Sequence, residues 1–433
     1  MLLNNSSEAI LAYINNILVT PNVKLNPKPI NEIKTMYPNI KYIIHLTFEN
    51  RSYHNIFGYK EYDKKNIKYN VGNNGKIYYE KSIVDKPINI KYDLPHNYFA
   101  VKEQINGGKM DNFVKVNEKY FSSENDLKHP EIINQDIYNQ YTMDFFEKGY
   151  LKVMDKLVDE YCLCNRWFCS FPGSTIPNRL FIQCGTSGNN LGDVDFPIKG
   201  ENYVYDIKNI FDVLAENRIS FGIYYGDFPI SLYNKSACKY LRYYYTLNLF
   251  QEHVNNLELP AYTFIEPNYY INECDGHPLS DIRKADNFLA NIYEIIRNKK
   301  EIWENCLFIV TFDEHGGFYD NVDPSTLGPR IPTLLISPYI KKNILDSTIY
   351  DSCSVLKFIL ENYKLDINSL TERVSLANTI NKSIFKHKIR KNCILYIEKS
   401  KGPFYKSTFG KKYKLFASVM YSAIHYRQYL LNL

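Results

Sequence analysis

Pairs of adjacent polar residues, each placed directly after an apolar run, have side chains that could hold a metal ion. Asp313 and Glu314 follow one such run, Glu49 and Asn50 follow another, and Glu266 follows a third. Carboxylate and amide oxygens are the ligands that hard divalent cations prefer. If the runs are parallel strands, their carboxyl ends share one edge of a sheet, where crowded carboxylates would repel one another without a cation. The residue types and their order therefore predict a metal site at that edge.

A hydroxyl group at the start of a helix is the candidate nucleophile. Pro172 and Gly173 form a turn, and Thr175 then precedes Ile176 and Pro177, as in a helix with proline in its first turn. The free N–H groups of such a helix start suit a phosphate or a developing oxyanion. A threonine hydroxyl needs activation, which a bound cation or a nearby base would supply. The structural alternative, a hydroxyl that only caps the helix, is far more common for an isolated Ser or Thr.

Two histidines in turn-rich stretches are candidates for proton transfer. His96 lies in the sequence DLPHNYF, and His277 lies in CDGHPLSD. Each could equally be a surface-loop histidine, because its immediate neighbours do not by themselves indicate a catalytic role. Motifs of other classes are absent from the sequence, which has no G-x-S-x-G nucleophile elbow, no H-E-x-x-H zinc motif and no G-x-x-x-x-G-K-[ST] phosphate loop.

Short apolar runs alternate with amphipathic stretches, and this pattern predicts the elements that would position these residues. Near-continuous apolar runs of this length are typical of parallel strands that are covered on both faces. The predicted strands are residues 40–48, 179–184, 219–227, 261–267, 306–313 and 331–337. Helical spacing predicts helices near residues 207–215 and 282–296. The alternation predicts an α/β fold, doubly wound, with a mainly parallel sheet sandwiched by helices and with polar insertions, among them a hairpin within residues 59–95.

Composition divides the chain into a helical lead-in at residues 1–39, an α/β domain at residues 40–381 and a basic C-terminal extension at residues 382–433. In the lead-in, apolar residues follow helical spacing behind Ser7, which predicts a surface helix, and no signal peptide is expected there. The extension holds twelve Lys or Arg against one acid, Glu398. Its net charge is therefore +11, so the other 381 residues carry −6 of the total of +5.

A basic segment with interleaved Tyr and Phe suits peripheral contact with a phospholipid surface or with nucleic acid. The alternative without a binding role is a solvated extension that covers part of the surface. No nucleic-acid motif accompanies it, so we expect no nucleic-acid partner. No apolar run approaches the ~20 residues of a membrane span. Nine scattered cysteines without a disulfide framework or zinc-ligand spacing favour a reducing compartment.

Five separated motifs, taken together, resemble one family. They are ENRSYHNIFG, NGGKMDNF, PGSTIPNR, FIEPNYY with DGHP, and DEHGGFYDNV followed by GPRIPTLLISPY, within about residues 40–375. The resemblance is to the phosphoesterase family that contains phosphatidylcholine-hydrolysing phospholipases C of bacteria, non-specific phospholipases C of plants and an acid phosphatase branch. It implies a core like that of alkaline phosphatase, in agreement with the α/β sandwich, and a substrate that is a phospholipid or a phosphomonoester.

The resemblance also implies roles for particular residues. A divalent metal ion would be bound by Glu49, Asn50, Thr175, Asp313 and Glu314. Thr175 would be the nucleophile that forms a phosphothreonine, and His96 and His277 would stand near the phosphorus as acid–base groups. An all-oxygen ligand set suits Mg²⁺, Ca²⁺ or Mn²⁺, with Zn²⁺ as the alternative. His315 is expected to support the site without reacting.

The chain departs from the family pattern at three places. His54-Asn55 stands where the family usually has Asp-His, and Asn321 and Ser352 stand where histidine is usual. These changes leave the expected ligands in place but motivate a second hypothesis, a catalytically weakened member that binds phosphate or lipid or has a structural role. A metal-dependent phosphoesterase is the favoured function because the ligand set is complete.

Overall fold

A central sheet organises the computed structural model, which describes residues 7–37, 39–83, 93–128, 134–192, 198–199, 202–203, 205–405 and 411–432. Within these residues, eight strands form the sheet: β1 (Tyr42–Phe48), β2 (Cys162–Cys164), β3 (Phe221–Tyr225), β4 (Tyr244–Thr246), β5 (Tyr262–Glu266), β6 (Cys306–Phe312), β7 (Thr333–Ile336) and β8 (Ile344–Asp346). Their order across the sheet is β4-β3-β5-β1-β6-β7-β2-β8. Neighbouring strands are parallel except where β7 pairs with β6 and β2.

The middle of the sheet is covered on both faces. Strand β1 pairs in parallel with β5 on one side and with β6 on the other, and every residue of β1 and β6 is buried. A strand that is buried on both faces has a nearly continuous apolar sequence, and β1 and β6 both have such a sequence. The expected α/β fold with a mainly parallel, helix-flanked sheet is confirmed.

Helices connect the strands and cover the sheet. They are α1 (Ser7–Val19), α2 (Tyr53–Phe57), α3 (Tyr98–Ile105), α4 (Phe113–Lys128), α5 (Gln135–Met143), α6 (Lys152–Glu160), α7 (Thr175–Cys184), α8 (Ile210–Glu216), α9 (Lys235–Cys238), α10 (Leu247–Asn256), α11 (Ile282–Asn298), α12 (Lys300–Trp303), α13 (Ser352–Asn362), α14 (Glu372–Leu376) and α15 (Lys411–Asn432). Short 3₁₀ helices lie at Ile30–Glu32, Gly58–Lys60, Asn106–Gly108, Ile230–Tyr233, Leu241–Tyr243 and Lys382–Ile384. Among the described residues, no helix is both long enough and apolar enough to cross a bilayer.

Small two-stranded ladders lie outside the central sheet. They pair Tyr69–Val71 with Ile77–Tyr79, Ser82–Ile83 with Phe145–Phe146, and Ile198–Lys199 with Asn202–Tyr203. The first of them is antiparallel and confirms the hairpin expected within residues 59–95. Part of that predicted excursion, residues 84–92, lies outside the described residues.

Five of the six predicted strands are present, but the strand predicted at residues 179–184 is wrong. Those residues form the second half of α7, which begins at Thr175. A short apolar run cannot by itself distinguish a buried helix from a buried strand, and the turn before Thr175 was the better guide. The strands that the prediction missed, β2, β4 and β8, have three residues each, which is too short for a recognisable pattern.

A carboxylate from another helix caps the start of α6. Leu151 precedes α6 and has no side-chain oxygen to accept from the first free N–H groups of the helix. Asp286, on α11, takes this role: its carboxylate accepts from the N–H groups of Val153 and Met154, at 3.0 and 2.8 Å. Asp286 is fully buried, and burial raises its pKa to about 7 despite these two bonds.

The raised pKa predicts how stability changes with pH. The folded protein holds the Asp286 proton up to about pH 7, whereas an unfolded chain releases it near pH 4. The contribution of this group to stability is therefore greatest below about pH 4 and is lost as the pH rises towards 7. We expect Asp286→Asn to remove this loss, so that the stability of the wild type falls relative to the variant by about 2–3 kcal/mol between pH 5 and pH 7.

Denaturant unfolding of both proteins at several pH values measures this difference. Asp159→Asn, which removes a carboxylate with 40% exposure on α6, is the control for a general effect of charge. Parallel stability curves for the wild type and Asp286→Asn would contradict the prediction.

Candidate active site

The polar residues that end β1 and β6 face each other at one edge of the sheet. Phe48 and Phe312 are register partners, so Glu49 and Asp313 leave adjacent parallel strands at the same level. The N–H of Asn50 donates to Oδ1 of Asp313 at 3.0 Å. Asn50 has a positive φ of 55°, a conformation that asparagine tolerates better than most residues. The structure therefore brings Glu49, Asn50 and Asp313 together, as the parallel-strand argument predicts.

Arg179 lies between the two carboxylates and is the site residue that the sequence analysis missed. Its Nε donates to Asp313 at 3.1 Å, and an Nη donates to Glu49 at 3.2 Å. The guanidinium also lies over the ring of Tyr269, 5.6 Å from the centroid. Its position in α7 is the signal that could have revealed it, because Arg179 follows Thr175 by four residues and so shares its helix face.

Buried negative charge exceeds the positive charge that the described residues supply at this place. Burial raises the pKa of Glu49 well above its usual value, and the neighbouring Asp313 raises it further. Burial likewise raises the pKa of Asp313 to about 6, with the Arg179 guanidinium acting in the opposite direction and Glu314 adding to the rise. One guanidinium therefore pairs with two buried carboxylates, Glu49 and Asp313, and an added cation would be stabilised beside them.

Thr175 is the first residue of α7, and its hydroxyl donates to Oδ1 of Asn50 at 3.3 Å. The N-cap position belongs to Ser174, whose side chain makes no capping hydrogen bond. The structure thus joins Thr175 to the carboxylates through Asn50, whose side-chain oxygen accepts from Thr175 and whose backbone N–H donates to Asp313. This contact is what distinguishes Thr175 from a hydroxyl that only caps a helix.

His96 is held with its Nε2 as the acceptor. Its Nδ1 lies 2.6 Å from the carbonyl oxygen of Leu94, which can only accept, so Nδ1 carries the proton. Nε2 then has the lone pair, and it lies 3.4 Å from the side-chain nitrogen of Asn50 and 3.9 Å from Oε1 of Glu314. His96 is therefore next to the cluster, in the tautomer of a proton acceptor.

His277 is held in the opposite tautomer. The N–H of Leu279 donates to its Nδ1 at 3.2 Å, so the proton of the neutral ring is on Nε2, which lies 3.3 Å from Oδ1 of Asp93. Burial lowers the pKa of His277 to about 4, Asp93 opposes this shift, and the charges of His96 and Arg51 add to it. The neutral imidazole donates its Nε2–H towards Asp93 and would offer the same hydrogen bond to a ligand oxygen.

Glu314 and His315 are buried directly behind Asp313. Oε2 of Glu314 accepts from the N–H of Gly316 at 2.7 Å and lies 3.2 Å from Nδ1 of His315. Nε2 of His315 is paired at 3.0 Å with Oε1 of Gln104, so this histidine contacts the scaffold, consistent with the supporting place expected for it. Glu266, at the end of β5, accepts from the N–H and hydroxyl of Ser231, and the nearby Arg179 charge opposes the rise that burial causes in its pKa.

The donor set fits a hard cation, although no ligand cage is already formed. In the part of the chain that the structure describes, no three His, Cys, Asp or Glu side chains are grouped as a metal site. The oxygens of Glu49, Asn50, Thr175 and Asp313 are nevertheless linked to one another by direct contacts or through Arg179. Buried carboxylates with raised pKa values are the observation that favours an additional positive charge here.

Gly316 lets the chain turn close beneath Asn50. It has a φ of +65°, and a Cβ at this position would lie 2.2 Å from the carbonyl oxygen of Asn50. We expect Gly316→Ala to displace Asn50 and to lower any activity of the site by about 100-fold, the size of effect that a 1 Å misplacement can produce. Gly75→Ala is the matched control, because Gly75 has a φ of +81° with no atom within 4 Å of the added Cβ. It should cost only backbone strain of about 1–2 kcal/mol.

Thermal unfolding and activity measured on both glycine variants test this expectation. Equal losses in the two variants would show that strain at the glycine, and not the close contact with Asn50, determines the effect.

The three departures from the family pattern lie apart from the cluster. His54 is buried between Phe145 and Tyr319, with Nε2 3.4 Å from Glu80. The side-chain oxygen of Asn321 accepts from Arg330 at 2.7 Å. Ser352 begins α13, and its N–H donates to the hydroxyl of Ser170 at 3.1 Å. None of these contacts involves an expected metal ligand.

Comparison with known proteins gives a family match over most of the chain. A model described as "Phosphoesterase family" matches residues 40–366. Non-specific phospholipase C3 from Arabidopsis thaliana is 31% identical over 353 residues, which cover 70% of this chain and 64% of that protein. Non-specific phospholipase C6 from the same plant is 30% identical over 327 residues, covering 66% and 60%. Phospholipase C B from Mycobacterium tuberculosis is 24% identical over 332 residues, covering 64% and 61%. The chain therefore spans less than two thirds of the length of these relatives.

Solved structures give a weaker likeness. The lipoteichoic acid synthase LtaP from Listeria monocytogenes is 10% identical, with a TM-score of 0.42 and 97% of both chains covered. A protein of the alkaline phosphatase superfamily from Vibrio parahaemolyticus is 11% identical, with a TM-score of 0.35 and with 86% of this chain and 78% of that chain covered. These TM-scores are too low to support an argument.

Proposed function

The chain belongs to the phosphoesterase family, and from this premise we propose that it is a divalent-metal-dependent hydrolase of phosphate esters that acts through Thr175. One observation carries the proposal. The hydroxyl of Thr175 lies 3.3 Å from Oδ1 of Asn50, and the N–H of Asn50 binds Asp313 in a buried pair of carboxylates that shares the single guanidinium of Arg179. A nucleophile next to a cation-binding set is the arrangement that phosphoryl transfer requires.

The residues that would hold the cation are those expected from the sequence: Glu49, Asn50, Thr175, Asp313 and Glu314. When bound, a divalent cation would neutralise phosphate oxygens and make the threonine hydroxyl easier to deprotonate. Oxygen donors alone suit Mg²⁺, Ca²⁺ or Mn²⁺ better than Zn²⁺, which usually takes nitrogen or sulfur ligands.

The two histidines divide the proton chemistry between them. His96 presents a lone pair on Nε2 beside Asn50, the residue that receives the Thr175 hydroxyl, so we assign it the role of proton acceptor. Thr175 then attacks phosphorus in line, and the alcohol leaves from the opposite side. His277 would donate a hydrogen bond from Nε2–H to that leaving oxygen, which takes up its proton from solvent because the neutral ring keeps its own. Water then attacks phosphorus and breaks its bond to Thr175, whose oxygen takes back the proton that His96 accepted.

A phospholipid is the substrate that we propose. The plant and mycobacterial relatives are named phospholipases C, which supports cleavage of the bond between glycerol and phosphate. The charge of the C-terminal extension supports the same choice, because clusters of Lys and Arg are attracted to anionic lipid surfaces. The extension would then make the peripheral membrane contact.

Assays with phosphatidylcholine and with p-nitrophenyl phosphate, each with and without a chelator, test the function. We expect release of phosphocholine from phosphatidylcholine, a loss of at least about 100-fold on metal removal, and recovery with Mg²⁺, Ca²⁺ or Mn²⁺. Hydrolysis of p-nitrophenyl phosphate alone would identify a phosphomonoesterase. Full activity after complete metal removal would contradict the metal requirement, and activity on neither ester would favour the phosphate- or lipid-binding hypothesis.

A further inference from the structure

Part of the C-terminal extension, which follows the residues that the family model matches, lies along α11. The extension runs antiparallel to the helix and contacts it at regular intervals. At the end of α11, Arg297 donates to the carbonyls of Cys393 and Ile394, and Glu294 binds Lys399. Towards the start of the helix, Asn287 and Ser400 exchange two hydrogen bonds, and Arg283 donates to the carbonyl of Pro403. The extension is therefore an integral part of this face, and it leads from the end of α11 to its start.

Tyr405 fastens the extension to the loop before α11. Its hydroxyl donates to the carbonyl oxygen of Ser280 at 2.5 Å, and its N–H donates to Oδ2 of Asp281 at 3.1 Å. Asp281 is the N-cap of α11, where its Oδ1 accepts from the N–H of Arg283. Both contacts of Tyr405 thus act on the short segment between β5 and α11 that also contains His277.

That segment is folded tightly around the backbone of His277. Oδ1 of Asp275 accepts from the N–H of His277 at 3.1 Å and from the hydroxyl of Ser280 at 2.9 Å. The N–H of Ser280 donates to the carbonyl of His277 at 2.9 Å. Ser280 therefore contacts both the backbone of His277 and the carboxylate that holds it, and Tyr405 holds Ser280 from the outside.

We infer that Tyr405 is a positioning residue for His277, so that the basic C-terminal extension completes the active site of the domain. The inference rests on the proposed function, because it assigns Tyr405 an effect through a histidine to which that function gives a role. A phenol that fixes the Ser280 carbonyl keeps the loop in the conformation that aims Nε2 of His277 at its ligand. Loss of the hydroxyl leaves the fold intact but lets the loop, and with it the imidazole, move.

The first test is kinetic. Tyr405→Phe removes only the hydroxyl, and Tyr396→Phe is the matched control because Tyr396 is 70% exposed on the same extension. On phosphatidylcholine we expect Tyr405→Phe to lower kcat about three- to tenfold, the size of effect from losing one hydrogen bond, while KM and the melting temperature stay close to those of the control. An unchanged kcat in Tyr405→Phe would overturn the inference.

A double-mutant cycle separates positioning of His277 from a merely structural role. If Tyr405 acts through His277, adding Tyr405→Phe to His277→Ala should cause no further loss of kcat, since there is no imidazole left to aim. A structural contribution would instead lower kcat by the same factor in both backgrounds. That additive result would overturn the assignment even if the single variant is impaired.

Hydrogen exchange gives a readout that does not depend on turnover. We expect the amides of residues 276–281 to exchange faster in Tyr405→Phe than in the wild type, and to be unaffected in Tyr396→Phe. Unchanged exchange would overturn the inference whatever the kinetics show. A wild type that is inactive on both esters would instead refute the proposed function, and with it the role of Tyr405 in catalysis, even if exchange in the loop responds.

Discussion

Replacing Thr175 by alanine should lower kcat by about 10³-fold or more while leaving the folded structure unchanged, because it removes the atom that attacks phosphorus. The side chain is small, and among the described residues its hydroxyl has only the long contact of 3.3 Å to Asn50, so little stability depends on it. Helix α7 keeps its start, since the N-cap position is that of Ser174. Steady-state kinetics on phosphatidylcholine, together with thermal unfolding, measure both quantities.

Thr175→Ser is the control, because it keeps a hydroxyl at the same place and should retain most of the activity. A covalent intermediate gives independent support: rapid quenching of the wild type should trap a phosphate ester on Thr175, which carries choline when phosphatidylcholine is the substrate. Substantial activity in Thr175→Ala would place the nucleophile elsewhere. An impaired Thr175→Ser with a normal melting temperature would mean that the methyl group of Thr175 also matters for orienting the hydroxyl.

The two central strands could be predicted from the sequence for a simple physical reason. Strands β1 and β6 are buried on both faces, so nearly every residue in them is apolar, and the polar residues that follow mark the edge of the sheet. Parallel pairing then places Glu49 next to Asp313 without any further information. Strand direction and the polar residues at one end of each strand are enough to define this edge of the sheet.

Helix α7 and the short strands could not be predicted from apolar runs in the same way. Residues 179–184 include the apolar run Leu180–Ile182 in a helix that is buried on nearly all sides, and over six residues such a run cannot be told from a buried strand. Strands β2, β4 and β8 have three residues each, and their positions depend on pairing with neighbours distant in sequence. Such elements are determined by tertiary contacts more than by local sequence pattern.

Side-chain partners were the least predictable part of the site. Arg179 contacts Glu49 and Asp313 across 130 and 134 residues, and no local pattern reports such a pairing. The tautomers of His96 and His277 depend on backbone groups of Leu94 and Leu279, each two residues away, whose orientation only the folded loop defines. Sequence reasoning therefore identified residues that converge, but neither the counter-ion among them nor the direction of proton transfer.

Removal of this counter-ion, Arg179, should have a large effect on the free energy of unfolding. Replacing Arg179 by methionine should destabilise the metal-free protein by about 3–5 kcal/mol, because it leaves Glu49 and Asp313 buried without the guanidinium that pairs with both. Both carboxyls already have pKa values raised by burial, and the loss of Arg179 removes the group that opposes this rise. The carboxyls would then hold their protons to higher pH in the folded state than in the unfolded state. The destabilisation should therefore be smaller at pH 5 than at pH 8.

Denaturant unfolding at the two pH values, with and without added divalent cation, measures this effect. Lys208→Met is the control, because it breaks an exposed ion pair with Glu216 and should change stability by less than about 1 kcal/mol. A cation bound by the same carboxylates would replace the missing charge, so Mg²⁺, Ca²⁺ or Mn²⁺ should stabilise Arg179→Met more than it stabilises the wild type. If Arg179→Met loses no more stability than Lys208→Met at pH 8, the two carboxylates are not a buried charge cluster that needs compensation, and the main reason for placing a cation there is removed.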